Sequence, residues 1–269
     1  MNTLFRKTFL QTTHACFLVL LWVVGAHAAP LDLQSVPLYL SSKVDPNVLI
    51  DMSVETPMGG AAYNDNIGIP TGCTGRQTVG GNANIGTCYF PTTTYLGYFG
   101  PNKCYTYSSS RFNPAGATTA THTCSGQWSG NFLNWATMTA SDMFILNMTG
   151  GNRTTDTTSL TVVRRAQNSG NTSWFPRKAL DAGINVAPST VTPYTDTALY
   201  IHSTDLVNTT DPIRNTRFQL GTTFAAATGS SPTYGPFNVD VKVCDAAVGL
   251  ESNCVAYGTS PSLYYKPEG

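Results

Sequence analysis

Three oxygen-bearing side chains, Asp51, Ser53 and Glu55, stand at alternate positions in the stretch PNVLIDMSVETPMGG, residues 46–60. Alternation puts all three on one face of a strand, where their oxygens could converge on a hard divalent cation. Such an ion takes six or more oxygen ligands, so other loops would have to contribute. A solvated polar strand face accounts for the same residues without a metal. A second constellation is Ser129 with His122, a hydroxyl nucleophile and a base. The surrounding GQWSG (residues 126–130) differs from the hydrolase elbow G-x-S-x-G, because Ser129 falls one place late. Histidines past residue 28 are His122 and His202, Glu occurs only at 55, 251 and 268, and H-E-x-x-H is absent. Acid–base and metal chemistry are thinly supplied, so the expectation is a protein that is not an enzyme and carries no cofactor.

The cysteines do carry chemistry. Residues 1–28 read as a signal peptide: Arg6 and Lys7, an apolar run over 15–24, then Ala26-His27-Ala28 as the cleavage signal. The run is about half the ~20 residues a membrane span needs, and no transmembrane span is expected after cleavage. Cys16 leaves with the leader, and Cys73, Cys88, Cys104, Cys124, Cys244 and Cys254 remain. An even set in an exported chain reads as disulfides, and the spacing suggests 73–88, 104–124 and 244–254. No C-x₂-C pair favours zinc. Charged residues make up 11% of the chain and the formal net charge is zero. A protein that tracks phosphates needs a basic excess, so nucleic acid is excluded as a partner.

These groups need elements to hold them. Val48, Ile50, Met52 and Val54 alternate with polar neighbours and predict the strand that carries Asp51, Ser53 and Glu55. Residues 61–127 read as a loop-rich, cysteine-rich insertion that two crosslinks would constrain. Within it, Cys88 to Phe112 holds eight aromatic residues. Those rings could form a small core around the disulfides or an exposed contact surface, and Tyr95, Tyr98 and Tyr105 are the candidate adhesive residues. Phe132, Leu133, Trp135, Ala136, Ala140, Met143 and Phe144 recur at helical spacing. They predict one helix over residues 130–147, with Ser129 as N-cap and Gly150-Gly151 as its stop. Further strands are expected over 197–203, 216–224 and 237–245, and a strand or short helix over 160–166. The fold class is mixed α/β.

Several stretches together, CYFPTTTYLGYF, WSGNFLNWATMTASDMF, TGGNR, TVVRRA and YYKPEG, resemble the N-terminal region of PilC/PilY-type proteins. These are the type IV pilus tip adhesins and assembly factors of Gram-negative bacteria. The resemblance implies export to the periplasm, then residence at the pilus tip, on the outer cell surface or in the medium. It further implies a role in pilus biogenesis and surface adhesion, with pilus tip or minor pilin subunits and a host or abiotic surface as partners. It also implies a von Willebrand A-like sheet with a packed helix, whose metal-dependent site opens with Asp-x-Ser-x-Ser. Here Glu55 replaces the second serine, so the motif is degenerate. The family's calcium site lies in a C-terminal propeller, before which a domain over 29–269 would be truncated. Two alternatives follow from the residues: a metal-dependent binding module built on Asp51, Ser53 and Glu55, and a secreted serine hydrolase built on Ser129.

Overall fold

The computed structural model describes residues 56–66, 71–157, 160–203, 216–245, 254–257 and 264–267. The signal peptide expected over residues 1–28 and the strand expected around Asp51, Ser53 and Glu55 lie outside the described residues. Four of the strands come from the cysteine-rich segment: β1 (Gln77–Val79), β2 (Asn82–Ile85), β3 (Lys103–Ser108) and β4 (Arg111–Ala117). After them come β5 (Trp128–Ser129), α1 (Gly130–Thr137), α2 (Ala140–Thr149), β6 (Arg153–Asp156) and β7 (Leu160–Arg164). The remainder is β8 (Lys178–Asp181), β9 (Ala198–His202), β10 (Arg217–Gly221), α3 (Phe224–Thr228), β11 (Tyr234–Asn238) and β12 (Asp240–Asp245), then the hairpin β13 (Cys254–Tyr257) and β14 (Tyr264–Pro267).

Two larger sheets form, β5-β3-β4-β12-β7-β6 and β11-β10-β9-β8, beside the small pairs β1-β2 and β13-β14. The mixed α/β class holds. An A-domain-like sheet needs parallel strands joined by helical crossovers. Among the described residues only β4 and β12 pair in parallel, at Val241 and Phe112; the other strand pairings are antiparallel.

The strand expected over 237–245 is two strands in different sheets. β11 ends at Asn238 beside β10, and β12 starts at Asp240 between β4 and β7. Val239 makes the crossing, donating its N–H to Thr216 O (3.2 Å) and accepting from Arg165 N–H (3.0 Å). Phe237, Val239, Val241 and Val243 are all buried, so an unbroken period-two pattern serves two sheets in turn. Across the start of β12, Arg164 grips Asp240 through two bonds of 2.6 and 2.7 Å.

The single long helix expected over 130–147 is likewise two helices. Ser129 is the N-cap of α1, as its position suggested, and Gly150 closes α2 in the left-handed conformation (φ 75°). Between them Met138 and Thr139 are extended. Thr139 opens α2 with a capping box, bonded reciprocally to Asp142. A side chain able to satisfy the next helix's free N–H groups makes a restart as favourable as continuation. Ala61 bridges Thr139 in the gap, and Ala62 N–H donates to Met138 O at 2.9 Å.

All eight residues of α1 are buried. One apolar cluster joins Phe132, Leu133, Trp135 and Ala136 of α1 to both larger sheets, through Phe112, Val163 and Val241 on one side and Leu199, Phe218 and Phe237 on the other. Trp128 is its hub, within 5.3–6.4 Å of the rings of Phe112, Phe132, Tyr194, Phe218 and Phe237. Edge and offset contacts of this kind add to what area burial gives. The cysteine-rich segment thus supplies two strands of the six-stranded sheet and much of the main core. That is more than the small separate core its composition suggested.

Candidate functional site

The segment Tyr89–Tyr105 is held mainly by side chains. Asn131 and Asn134, one turn apart on α1, reach the same loop. Asn131 Oδ1 accepts from Tyr95 N–H (2.7 Å), and its Nδ2 donates to Thr93 O (2.8 Å). Asn134 Oδ1 accepts from Phe99 N–H (3.1 Å), while Nδ2 donates to Tyr95 O (2.8 Å) and Phe99 O (2.7 Å). The amide carries an acceptor and two donors on one plane, so each Asn replaces the strand partner this backbone lacks. Gly97 is required at the clamp: an added Cβ would lie 2.3 Å from Asn134 Oδ1.

This clamp overturns the candidate adhesive surface. Tyr95, Tyr98 and Tyr105 are 3%, 3% and 2% exposed. Their hydroxyls are internal partners: Tyr95 donates to Cys88 O (2.9 Å), Tyr98 accepts from Asn152 N–H (3.2 Å), and Tyr105 accepts from Gly100 N–H (2.7 Å). Burial pushes all three phenols above their ordinary range, and Tyr89 to about 12. Rings dense in sequence were drawn inward because α1 offers amides that satisfy the loop backbone. The large apolar side chain that the loop exposes is Leu96, at 57%.

The serine hydrolase constellation is not assembled either. Ser129 Oγ donates to the backbone oxygen of His122 (2.7 Å) and accepts from Phe132 N–H (3.4 Å), as a helix cap does. The His122 ring turns elsewhere, its Nδ1 facing Pro91 O at 2.5 Å. Both residues are buried. Chain proximity brought the two together, but through the main chain rather than the imidazole.

Two of the expected disulfides are present, Cys73–Cys88 and Cys104–Cys124. The side chains of Cys244 and Cys254 lie outside the described residues, as do Asp51, Ser53 and Glu55. Among the described residues no three His, Cys, Asp or Glu side chains gather in a form able to hold a metal. No helix among them is long and apolar enough to cross a membrane.

Buried charges form the remaining polar architecture. Asp65 accepts from Cys88 N–H (3.0 Å) and Trp135 Nε1–H (3.3 Å), tying the first disulfide to α1. Lys178 of β8, itself buried, donates to Trp135 O and lies 4.4 Å from the Trp135 ring centre. Burial pushes its ammonium down to about 7, with Asp65 pulling the other way. At the helix break, Asp142 accepts from Thr139 N–H (2.9 Å), Thr139 Oγ1 (2.8 Å) and Ala166 N–H (2.7 Å). Arg165 donates to Thr137 O (3.1 Å), Asn168 Oδ1 (3.2 Å) and Arg217 O (2.9 Å). Burial lowers its guanidinium to about 10, and Asp142 works against that. Sequence reasoning passed over these groups. The one readable signal was the pair of amides in NFLNW, three apart on a helix otherwise apolar all round.

Comparison with known proteins places this architecture. Residues 86–224 match the family model described as PilY1 homolog, small alpha/beta domain. A curated relative, the type IV pilus biogenesis factor PilY1 homolog of Xylella fastidiosa (strain Temecula1), is 34% identical over 276 residues, covering 92% of this chain and 20% of the relative. A second relative of the same name and organism is 34% identical over 73 residues, 26% of this chain and 5% of its own length. The chain therefore spans about a fifth of the first relative. No solved structure matches. The matched family region, residues 86–224, takes in the clamped loop, α1, α2 and the strands from β3 to β10, and the chain belongs to the PilY1-homolog family.

Proposed function

We propose that this chain is an exported, pilus-associated protein that serves type IV pilus biogenesis and surface adhesion through non-enzymatic contacts. The observation that carries the reading is the 34% identity, sustained over 92% of the chain, to a type IV pilus biogenesis factor. Supporting it, two disulfides fit an oxidising compartment outside the cytoplasm, and the serine–histidine pair available for hydrolysis is engaged in capping and loop contacts. The partners this reading assigns are subunits of the pilus tip or minor pilins on one side and a surface on the other. The route is the periplasm first and the pilus or outer surface afterwards. The test is an immunoblot of pili sheared from cells, compared with the periplasmic fraction and the culture medium. Co-purification with pili is expected. Confinement to the periplasm, or release into the medium without pili, overturns the reading.

A further inference from the structure

β9 and β11 both run antiparallel to β10, which lies between them, so the two strands begin toward the same end of the four-stranded sheet. Tyr234 opens β11, and Tyr194 and Asp196 stand just before β9. There the rings of Tyr194 and Tyr234 lie 13° from parallel with centroids 3.6 Å apart, so carbons of one ring touch carbons of the other. The Tyr234 hydroxyl donates to Asp196 Oδ2 (3.0 Å). Both tyrosines are half-buried, and exposed Gly235 and Pro236 follow Tyr234. We propose that Tyr194 and Tyr234 form an oxidative modification site, at which a peroxide-driven one-electron oxidant joins the two rings by a carbon–carbon bond into dityrosine.

Aromatic pairs ordinarily settle edge-on or offset, with centroids about 4.5–7 Å apart. A contact closer and flatter than that is imposed by what surrounds it. Trp128 supports the Tyr194 ring edge-on at 5.5 Å, and Thr192 Oγ1 accepts from Tyr194 N–H (3.2 Å). Asp196, two residues on, holds the hydroxyl of the facing ring. Two other tyrosine pairs among the described residues lack this geometry. Tyr63 and Tyr95 meet edge-on, Tyr89 and Tyr95 lie 5.6 Å apart, and both Tyr89 and Tyr95 are buried.

The contacts set the chemistry. As an electron leaves Tyr234 for the oxidant, its phenolic proton passes along the hydrogen bond to Asp196, which leaves a neutral tyrosyl radical. A second one-electron step takes an electron and the phenolic proton from Tyr194. The two radicals couple between ring carbons ortho to the hydroxyls. The hydrogens on those carbons then shift to the oxygens, and both rings regain aromaticity. Two electrons and two protons leave in all, and they reduce one hydrogen peroxide to two water molecules. Coupling stays within the molecule, because each ring meets the other at an effective concentration that no second molecule matches. The product straps β9 to β11 across β10 and restricts the unfolded chain as a disulfide does.

This inference does not rest on the pilus reading. The test treats the full chain, disulfides intact and at low protein concentration, with hydrogen peroxide and a haem peroxidase. The expected product is a monomer with dityrosine fluorescence, lighter by two hydrogen atoms. In it the peptides that contain Tyr194 and Tyr234 are joined, and its urea midpoint is raised. Tyr194→Phe and Tyr234→Phe keep the rings, and each should lower the yield of monomeric dityrosine about tenfold or more. Asp196→Asn keeps an acceptor for the hydroxyl but is a weaker base, and should slow formation about tenfold with melting temperature unchanged. Dityrosine found only between molecules, joining other tyrosines, or undiminished in the two phenylalanine variants overturns the site. Oxidation of exposed side chains such as Trp174 with no dityrosine formed also overturns it. An Asp196→Asn rate equal to that of wild type overturns Asp196 as the proton acceptor.

Discussion

Lys178 offers a quantitative test of how the core is built. Its side chain is 1% exposed, with Nζ bonded to Trp135 O and facing the Trp135 ring. Burial lowers its ammonium from an ordinary 10.5 to about 7, with Asp65 raising it and Arg76 lowering it further. Because the folded value lies below the unfolded one, between about pH 7 and 10.5 the unfolded chain holds a proton that the folded chain has released. Stability therefore rises with pH across that window. Integrating from pH 6 to pH 9 gives roughly 2–3 kcal/mol from this one group. In Lys178→Met the stem volume is largely kept and the charge removed. The Trp135 carbonyl loses a donor, a cost of about 1–3 kcal/mol that does not vary with pH. The stability of wild type relative to the variant should accordingly improve by roughly 2–3 kcal/mol between pH 6 and pH 9. Urea unfolding with disulfides intact, followed by the fluorescence of buried Trp128 and Trp135, measures both proteins at each pH. Taking their difference cancels the shifted tyrosines and Lys103. A difference that stays constant to within about 0.5 kcal/mol, or that favours the variant more as pH rises, would refute a desolvated ammonium here.

Asn134→Ala strips partners from Tyr95 O, Phe99 O and Phe99 N–H together, and should cost at least ~3 kcal/mol in urea unfolding. Asn113→Ala, whose amide bonds only within the exposed β3–β4 turn, should stay within about 0.5 kcal/mol of wild type. Calorimetric titration with magnesium, manganese or calcium is expected to give neither binding heat nor a shift in melting temperature. A saturable heat that Asp51→Asn removes would instead establish a cation at Asp51, Ser53 and Glu55. A fluorophosphonate probe is expected to leave Ser129 unlabelled, since its hydroxyl is buried and donates to a main-chain oxygen. Stoichiometric labelling at that residue would require the cap to open.

What could be read from the chain was local. The Ser129 cap, the Gly150 stop, the strands near 198 and 217 and two disulfide pairings all follow from residues within about twenty positions of one another, whereas 160–166 was open between strand and short helix. What could not be read depends on partners far away. Tyr95, Tyr98 and Tyr105 looked like surface candidates because nothing near them shows that Asn131 and Asn134, farther along the chain, will pair the loop backbone at Thr93, Tyr95 and Phe99. Nothing in the sequence marks Asp65, Asp142, Arg165 and Lys178 as buried, since a charged side chain faces solvent by default. Their burial follows from hydrogen-bond partners supplied by other elements. The break at Met138–Thr139 and the crossing at Val239 were hidden for a different reason. In both places the hydrophobic period continues unbroken while the backbone changes its company.

The crossing at Val239 also bears on how the molecule would carry tension. β12 is an interior strand, flanked by β4 and β7, and the chain enters it directly from the other sheet. A pull on its far end at Asp245 runs along the strand axis, nearly at right angles to the hydrogen bonds with β7. Those bonds, and the paired contacts between Arg164 and Asp240 at the strand's head, would share the load and yield together rather than unzip one after another. Loading in this direction meets the fold's shear resistance, whereas peeling β6 from the open edge of the same sheet would break its few bonds in succession.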